Sequence, residues 1–274
     1  MQSAVSPPPT PPELPEQARP RWPWWYGPLA FLAGAIAGFV SAGIVWAIAG
    51  VDDPSDSWGA IVVGTALLDG SLVGIALLFA SFVRRPRAWH FGLRRTAFWP
   101  AVGWAALGML CFYVFAVTYE AILQPDVEQS VAEDLGADDS TVGLIAAGFM
   151  IICVAPFAEE FFFRGFFYGA LRTKFPVFVA ALMNGTLFGF IHFEGGNDGL
   201  LIVPPLAVLG FVFCLIYEKT RSLYPVIALH SINNSIAYAV TADGGVVAAV
   251  FGPLMLVACM VGPKLQRPAP AAVG

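Results

Sequence analysis

The chain has 274 residues, 58% hydrophobic and only 12% charged, with a mean hydropathy of +0.72 and a formal net charge of −5. A soluble globular domain carries about 25% charged residues, so the composition excludes that class and points to a polytopic membrane protein. It offers no basic patch for nucleic acid, and its cysteines, Cys111, Cys153, Cys214 and Cys259, fall singly in apolar runs, which reads as buried thiols rather than disulfides or a thiolate metal site.

Residues 1–25 read as a disordered proline-rich tail, because Pro7-Pro8-Pro9, Pro11-Pro12, Pro15, Pro20 and Pro23 cannot build a helix and little apolar surface is available to bury. The tail lacks the basic start and short apolar core of a signal peptide. Trp22, Trp24, Trp25 and Tyr26 then read as a membrane-interface belt. Apolar runs follow at 27–50, 59–83, 97–121, 142–172, 176–193, 200–217, 222–240 and 245–262. At roughly 20 residues per crossing, they predict an all-α polytopic membrane protein of about eight transmembrane helices.

Loop charges orient it. Arg84, Arg85, Arg87, Arg94 and Arg95 follow the second run, Arg172 and Lys174 the fourth, Lys219 and Arg221 the sixth, and Lys264 and Arg267 the eighth, while Arg19 and Arg21 precede the first. With eight spans all of these share one side. The opposite loops carry Asp52, Asp53, Asp56, the acids from Asp126 to Asp139, Glu194, Asp198 and Asp243, with no Lys or Arg. The positive-inside rule makes the basic side cytoplasmic, so both termini are expected there, in a multi-pass protein of the cell membrane.

The fourth run holds two adjacent carboxylates, Glu159 and Glu160, followed by Phe161-Phe162-Phe163-Arg164. An ionisable side chain at membrane depth costs several kcal/mol, about 3 on insertion scales, and adjacent carboxylates oppose each other's ionisation. Glu160 and Arg164 are spaced i, i+4 and can pair. Glu159 has no basic partner at helical spacing and is left free to handle a proton. His192 ends the fifth run, one helical turn after Phe188; His230 and Asn234 share a face of the seventh; Asn184 lies one turn before Phe188. Gly185 and Gly189 form a small-xxx-small face, the usual mark of close helix packing. Phe161–Phe163 read as lipid-facing or packing surface, Asp69 as a structural hydrogen bonder or cavity lining, and His90 as a solvated or headgroup-level residue.

A carboxylate with an imidazole can activate water, and a histidine with an asparagine amide can donate to an oxyanion; together these are the equipment of amide hydrolysis. No HExxH motif is present. Zinc held by Glu159, His192 and His230, and a metal-free glutamate mechanism, both stay open.

The runs Glu159-Glu160-Phe-Phe-Phe-Arg164, Phe188-Gly-Phe-Ile-His192 and Asn234 four residues after His230 match, in order, the EExxxR, FxxxH and HxxxN patterns of the CPBP family (CAAX proteases and bacteriocin-processing enzymes, also called the Abi family). The resemblance covers about residues 142–240. It implies an all-helical membrane bundle with a peptidase site inside the bilayer. It further implies that Glu159 and His192 activate water, that His230 and Asn234 form the oxyanion site, and that Glu160 and Arg164 support them. The expected organisation is a tail at 1–25, three helices at 26–141, a four-helix catalytic core at 142–240, and a last helix with a cytoplasmic tail at 241–274. Expected partners are membrane lipids and a peptide or lipidated-protein substrate. The competing readings are a proton- or ion-coupled transporter using Asp69, Glu159, Glu160 and the histidines, which lacks visible inverted repeats, and a catalytically silent scaffold.

Overall fold

The computed structural model describes residues 22–124, 130–193 and 195–265, so most of the proline tail, Asp126, Glu194 and Arg267 lie outside the described residues. All regular structure among the described residues is helical. Eight long elements correspond to the eight apolar runs: α1 Tyr26–Ala49, α2 Trp58–Ser81, α3 Phe98–Leu123, α4 Thr141–Leu171, α5 Val177–Phe190, α6 Gly196–Thr220, α7 Leu223–Thr241 and α8 Gly245–Leu265. Six of them, α1, α2, α3, α4, α6 from Gly199 onward and α8, are long and apolar enough to cross a membrane. Helix α5 has 14 residues, about 21 Å at 1.5 Å per residue, short of a hydrocarbon core of about 30 Å. Helix α7 is continuous, but His230, Asn233 and Asn234 break its apolar run.

Helix α4 is the axis of the bundle. The α1–α2 hairpin packs on one side of it, α7 and α8 on the other, and α5 joins α6 as the tightest helix pair. α3 leans on α6 and leaves most of its surface outward. The α5–α6 approach rests on missing side chains: a Cβ on Gly185 would lie 2.5 Å from the Ala207 carbonyl oxygen, and one on Gly189 2.5 Å from that of Val203. Phe161, Phe162 and Phe163 are all buried in this core, as packing surface rather than a lipid face.

α4 is not a plain α-helix. Met150–Val154 and Phe161–Tyr168 are wound as π-helix, flanking an α-helical stretch at Ala155–Glu160. In a π turn the Ile151 carbonyl looks to the N–H five residues on; that residue is Pro156, which has none. α6 shows the same logic: Pro205 cannot donate to the Leu201 carbonyl, and the Tyr119 hydroxyl of α3 donates to it instead, at 2.9 Å.

Basic segments gather at one end of the bundle. Arg94 donates to the Arg221 carbonyl, and Arg95 to the carbonyls of Pro263 and Lys264. Arg172 and Arg221 both pair with Glu218, and Lys174 lies over the Trp24 ring. These loops therefore share a face, as the charge pattern requires.

Two expectations at this end are corrected. Trp22 is not an interface anchor: it is 0% exposed, stacked between Phe91 and Phe166, with its indole N–H donating to the Phe166 carbonyl. The tail is therefore packed from residue 22 onward. His90 is not solvated: it is 3% exposed, packed edge-on against Trp89, and its Nδ1 accepts the Arg87 backbone N–H. Of the cysteines, Cys153, Cys214 and Cys259 are buried free thiols, whereas Cys111 is exposed on α3.

Two predictions follow from this packing. Gly189→Leu should lower thermal stability in detergent by about 1–3 kcal/mol, the usual cost of overpacking, whereas Gly103→Leu, where a side chain meets open space, should leave it unchanged. For His90, burial first and then Arg84 and Arg87 push the imidazole down from 6.5 to about 4. Between those values the unfolded chain binds the proton and the folded chain does not, so stability should fall as pH drops from about 6.5 toward 4. Unfolding curves in detergent across that range should show this slope in the wild type and a shallower one in His90→Gln.

Candidate functional site

The site forms where the α-helical stretch of α4 meets α7, α2 and α6. Glu160 and Arg164, one turn apart, are both fully buried and joined by a 2.8 Å bond from Nη1 to Oε1. Arg164 Nη2 donates to the Gly210 carbonyl of α6 at 3.0 Å, and its guanidinium lies over the Phe188 ring, 4.4 Å from the centroid, with Phe213 at 5.3 Å. Planar aromatic walls and a carbonyl thus hold a cation that lipid would reject. The same Glu160 Oε1 lies 2.9 Å from His230 Nδ1. A carboxylate already paired with Arg164 accepts, so Nδ1 carries the hydrogen and Nε2 keeps its lone pair.

That Nε2 faces Glu159 Oε2 at 3.8 Å, too long for a hydrogen bond. Glu159 Oε2 is buried without a hydrogen-bond partner among the described residues. Spacing predicted this division, with Glu160 bound to Arg164 and Glu159 uncommitted.

Two asparagines stabilise the irregular helix. Asn234 Nδ2 donates at 2.9 Å to the Ile151 carbonyl, the acceptor orphaned by Pro156. Asn184 Nδ2 donates at 2.9 Å to the Phe163 carbonyl in the second π segment, and its Oδ1 accepts the Cys214 thiol. One of the two Asn234 amide hydrogens is therefore spent on the backbone. In a bilayer, backbone groups that leave the helical ladder have to be satisfied by neighbouring helices, and α5 and α7 each supply one amide.

His192 stands apart from this cluster. It caps α5, half-buried, with Nδ1 2.8 Å from the Phe188 carbonyl, and its ring packs on Phe188, which in turn touches His230. Among the described residues no hydrogen bond joins it to Glu159, His230 or Asn234. Among the described residues no three His, Cys, Asp or Glu side chains converge as a metal-binding set. Glu159, His192 and His230 therefore do not fit a three-ligand zinc site in this arrangement.

Residues 141–236 match the family model described as type II CAAX prenyl endopeptidase Rce1-like. Over this segment the chain is similar to that family. The "Uncharacterized protein YyaK" of Bacillus subtilis (strain 168) is 34% identical over 98 residues, which are 34% of this chain and 32% of that protein. The "UPF0177 protein YxdF" of Lactococcus lactis subsp. lactis (strain IL1403) is 25% identical over 127 residues, 44% of this chain and 68% of that protein. The "Putative membrane peptidase YdiL" of Bacillus subtilis (strain 168) is 32% identical over 82 residues, 30% of this chain and 32% of that protein. The chain thus spans about a third of the length of two of these relatives. No solved structure matches the chain. The matched segment holds all seven motif residues and leaves α1, α2, α3 and α8 outside it.

Arg164→Ala should strand Glu160 in a buried site and destabilise the protein by about 3–5 kcal/mol. Adding Glu160→Gln to that variant should recover part of the loss, as thermal unfolding in detergent would show. Asn184→Ala and Asn234→Ala should each cost about 0.6–1.7 kcal/mol, the range for single interhelical hydrogen bonds in membranes.

Proposed function

We propose that this chain is an intramembrane endopeptidase with Glu159 as its general base, built on a catalytic core at 142–240. The observation that carries this is a carboxyl with one buried, uncommitted oxygen, facing an imidazole nitrogen, beside a second carboxyl already neutralised by an arginine. A structural ion pair needs only the second carboxyl.

Glu159 Oε2 and His230 Nε2 are two acceptors 3.8 Å apart, a separation that suits one water donating a hydrogen to each. The water oxygen attacks the scissile carbonyl carbon as Glu159 takes its proton. The carbonyl π electrons move to oxygen, giving the tetrahedral oxyanion. The proton then passes from Glu159 to the amide nitrogen as the C–N bond breaks. The second Asn234 amide hydrogen is a donor for the oxyanion. Glu160, bonded to Nδ1–H, keeps Nε2 of His230 in its accepting tautomer. The family resemblance gives the water to His192; the contacts of Glu159 favour His230, while His192 is fixed through its Phe188 bond with Nε2 unspent.

The family description favours a lipidated C-terminal CAAX peptide as substrate, presented by the bilayer. The basic end of the bundle is proposed to face the cytoplasm, with both termini on that side, in a cell membrane.

The test is cleavage of a quenched peptide panel, including a prenylated CAAX peptide, by protein in proteoliposomes. Glu159→Gln should lower kcat/KM by about 10²–10⁴-fold. His230→Ala should lower it comparably, and added chelator should not. Equal loss in His192→Ala with little in His230→Ala would return the water to His192; loss on chelation restored by zinc would overturn the metal-free reading. If no peptide is cleaved and the protein instead carries protons across the vesicle, the endopeptidase proposal is wrong.

A further inference from the structure

α7 carries a second asparagine beside Asn234, and the peptidase pattern does not use it. Asn233 is three residues beyond His230, so their side chains lie on one face of the helix, with Ala237 a turn further on. That face opens along its length: His230 is 4% exposed, Asn233 is half-buried and Ala237 is exposed. The faces toward α4 and α8 are committed. Asn234 and Tyr238 donate to the Ile151 and Leu144 carbonyls of α4, and Ser235 lies against Gly252 of α8. α3 reaches the open side, where the Tyr113 hydroxyl donates to Asn233 Oδ1 at 3.2 Å. Asn233 Nδ2 donates to no group among the described residues, and it is not sealed inside the bundle.

An asparagine kept for packing would have both ends of its amide satisfied, because a free donor at membrane depth is costly. Here the oxygen is bonded and both Nδ2 hydrogens are held ready. An extended peptide is the partner that matches them. Inside a helix the scissile carbonyl is already hydrogen-bonded, so a substrate arriving from the bilayer has to be extended at the site. Each carbonyl freed in this way then needs a donor from the protein. Asn233 lies about 4.5 Å along α7 from His230, at 1.5 Å per residue. Extended chain rises about 3.3 Å per residue, so this offset reaches a carbonyl one or two residues from the one attacked. We propose that Asn233 is a substrate-binding residue, its Nδ2 donating to that neighbouring carbonyl of an extended peptide laid along the open face of α7. Tyr113, from a helix outside the family-matched segment, is a positioning residue: by holding Oδ1 it turns the amide so that Nδ2 meets the peptide. This assignment rests on the endopeptidase reading of the same site.

The test uses the full chain in proteoliposomes and one probe, a prenylated CAAX peptide. Asn233→Ala should raise KM by about 2–10-fold, the range for one hydrogen bond, with kcat near wild type. Tyr113→Phe should raise KM by less. A companion series of the peptide carries a trans alkene in place of one peptide bond at a time. One member of the series should lose about 2–10-fold in kcat/KM on the wild type and nothing further on Asn233→Ala. Losses that add for every member would mean a purely structural Asn233 and overturn the proposal, as would an unchanged KM in both variants. If Asn233→Ala fails to fold, Tyr113→Phe decides, because the loss for that member should shrink in it. Binding of the same peptide to Glu159→Gln, with and without Asn233→Ala, is read by fluorescence anisotropy and separates the two readings. Binding weakened by Asn233→Ala, with no cleavage by the wild type, would keep the peptide site and remove the endopeptidase reading. Cleavage with no dependence on Asn233 would do the reverse, and a peptide neither bound nor cleaved would remove both.

Discussion

The arrangement depends on how a bilayer protein keeps a carboxylate in its interior. Glu160 is fully buried, and removing its partner would leave a charge that the medium cannot solvate. Arg164 answers it through a short bond, and is itself held by the Gly210 carbonyl and the faces of Phe188 and Phe213. This one ion pair therefore ties α4 to α6 through a hydrogen bond and to α5 through an aromatic ring. His230 then attaches α7 to the same oxygen. Four helices converge on a single carboxylate, and the orientation of the imidazole follows from that convergence.

Much of this was legible in the residues. Hydropathy marks the eight helices because lipid demands apolar length, and each apolar run has its helix. The Glu160–Arg164 bond follows from i, i+4 spacing, and the α5–α6 contact from Gly185 and Gly189. What the sequence hid depends on neighbours distant in the chain. Trp22 looks interfacial beside Trp24 and Trp25, and only Phe91 and Phe166 make it a core residue. His90 looks solvated among arginines until Trp89 and the Arg87 N–H enclose it. Asn234 reads as an oxyanion donor on its own helix, and its bond to the Ile151 carbonyl is visible only once the π turn is known. Asp69 is an isolated acid in sequence, and only the fold shows it enclosed, 7% exposed, on α2. Pro156, five residues after Ile151, was the one available hint of the irregular helix.

The π segments explain why the site lies in α4. A wider turn loosens the backbone ladder, and in lipid each loosened carbonyl needs a donor from another helix. Asn184, Asn234 and the Trp22 indole each supply one. The same distortion lets a short α-helical stretch carry two adjacent acids with separate fates, one turned into the Arg164–His230 network and the other facing the His230 Nε2.

The Trp22 contact has a consequence for the N-terminal tail. Its indole is bonded to the Phe166 carbonyl, half a helical turn beyond Arg164 on the same π segment. A displacement of Trp22 would be delivered through this one bond to the backbone that carries the arginine. The indole thus couples the start of the described chain to the ion pair without touching either charged side chain.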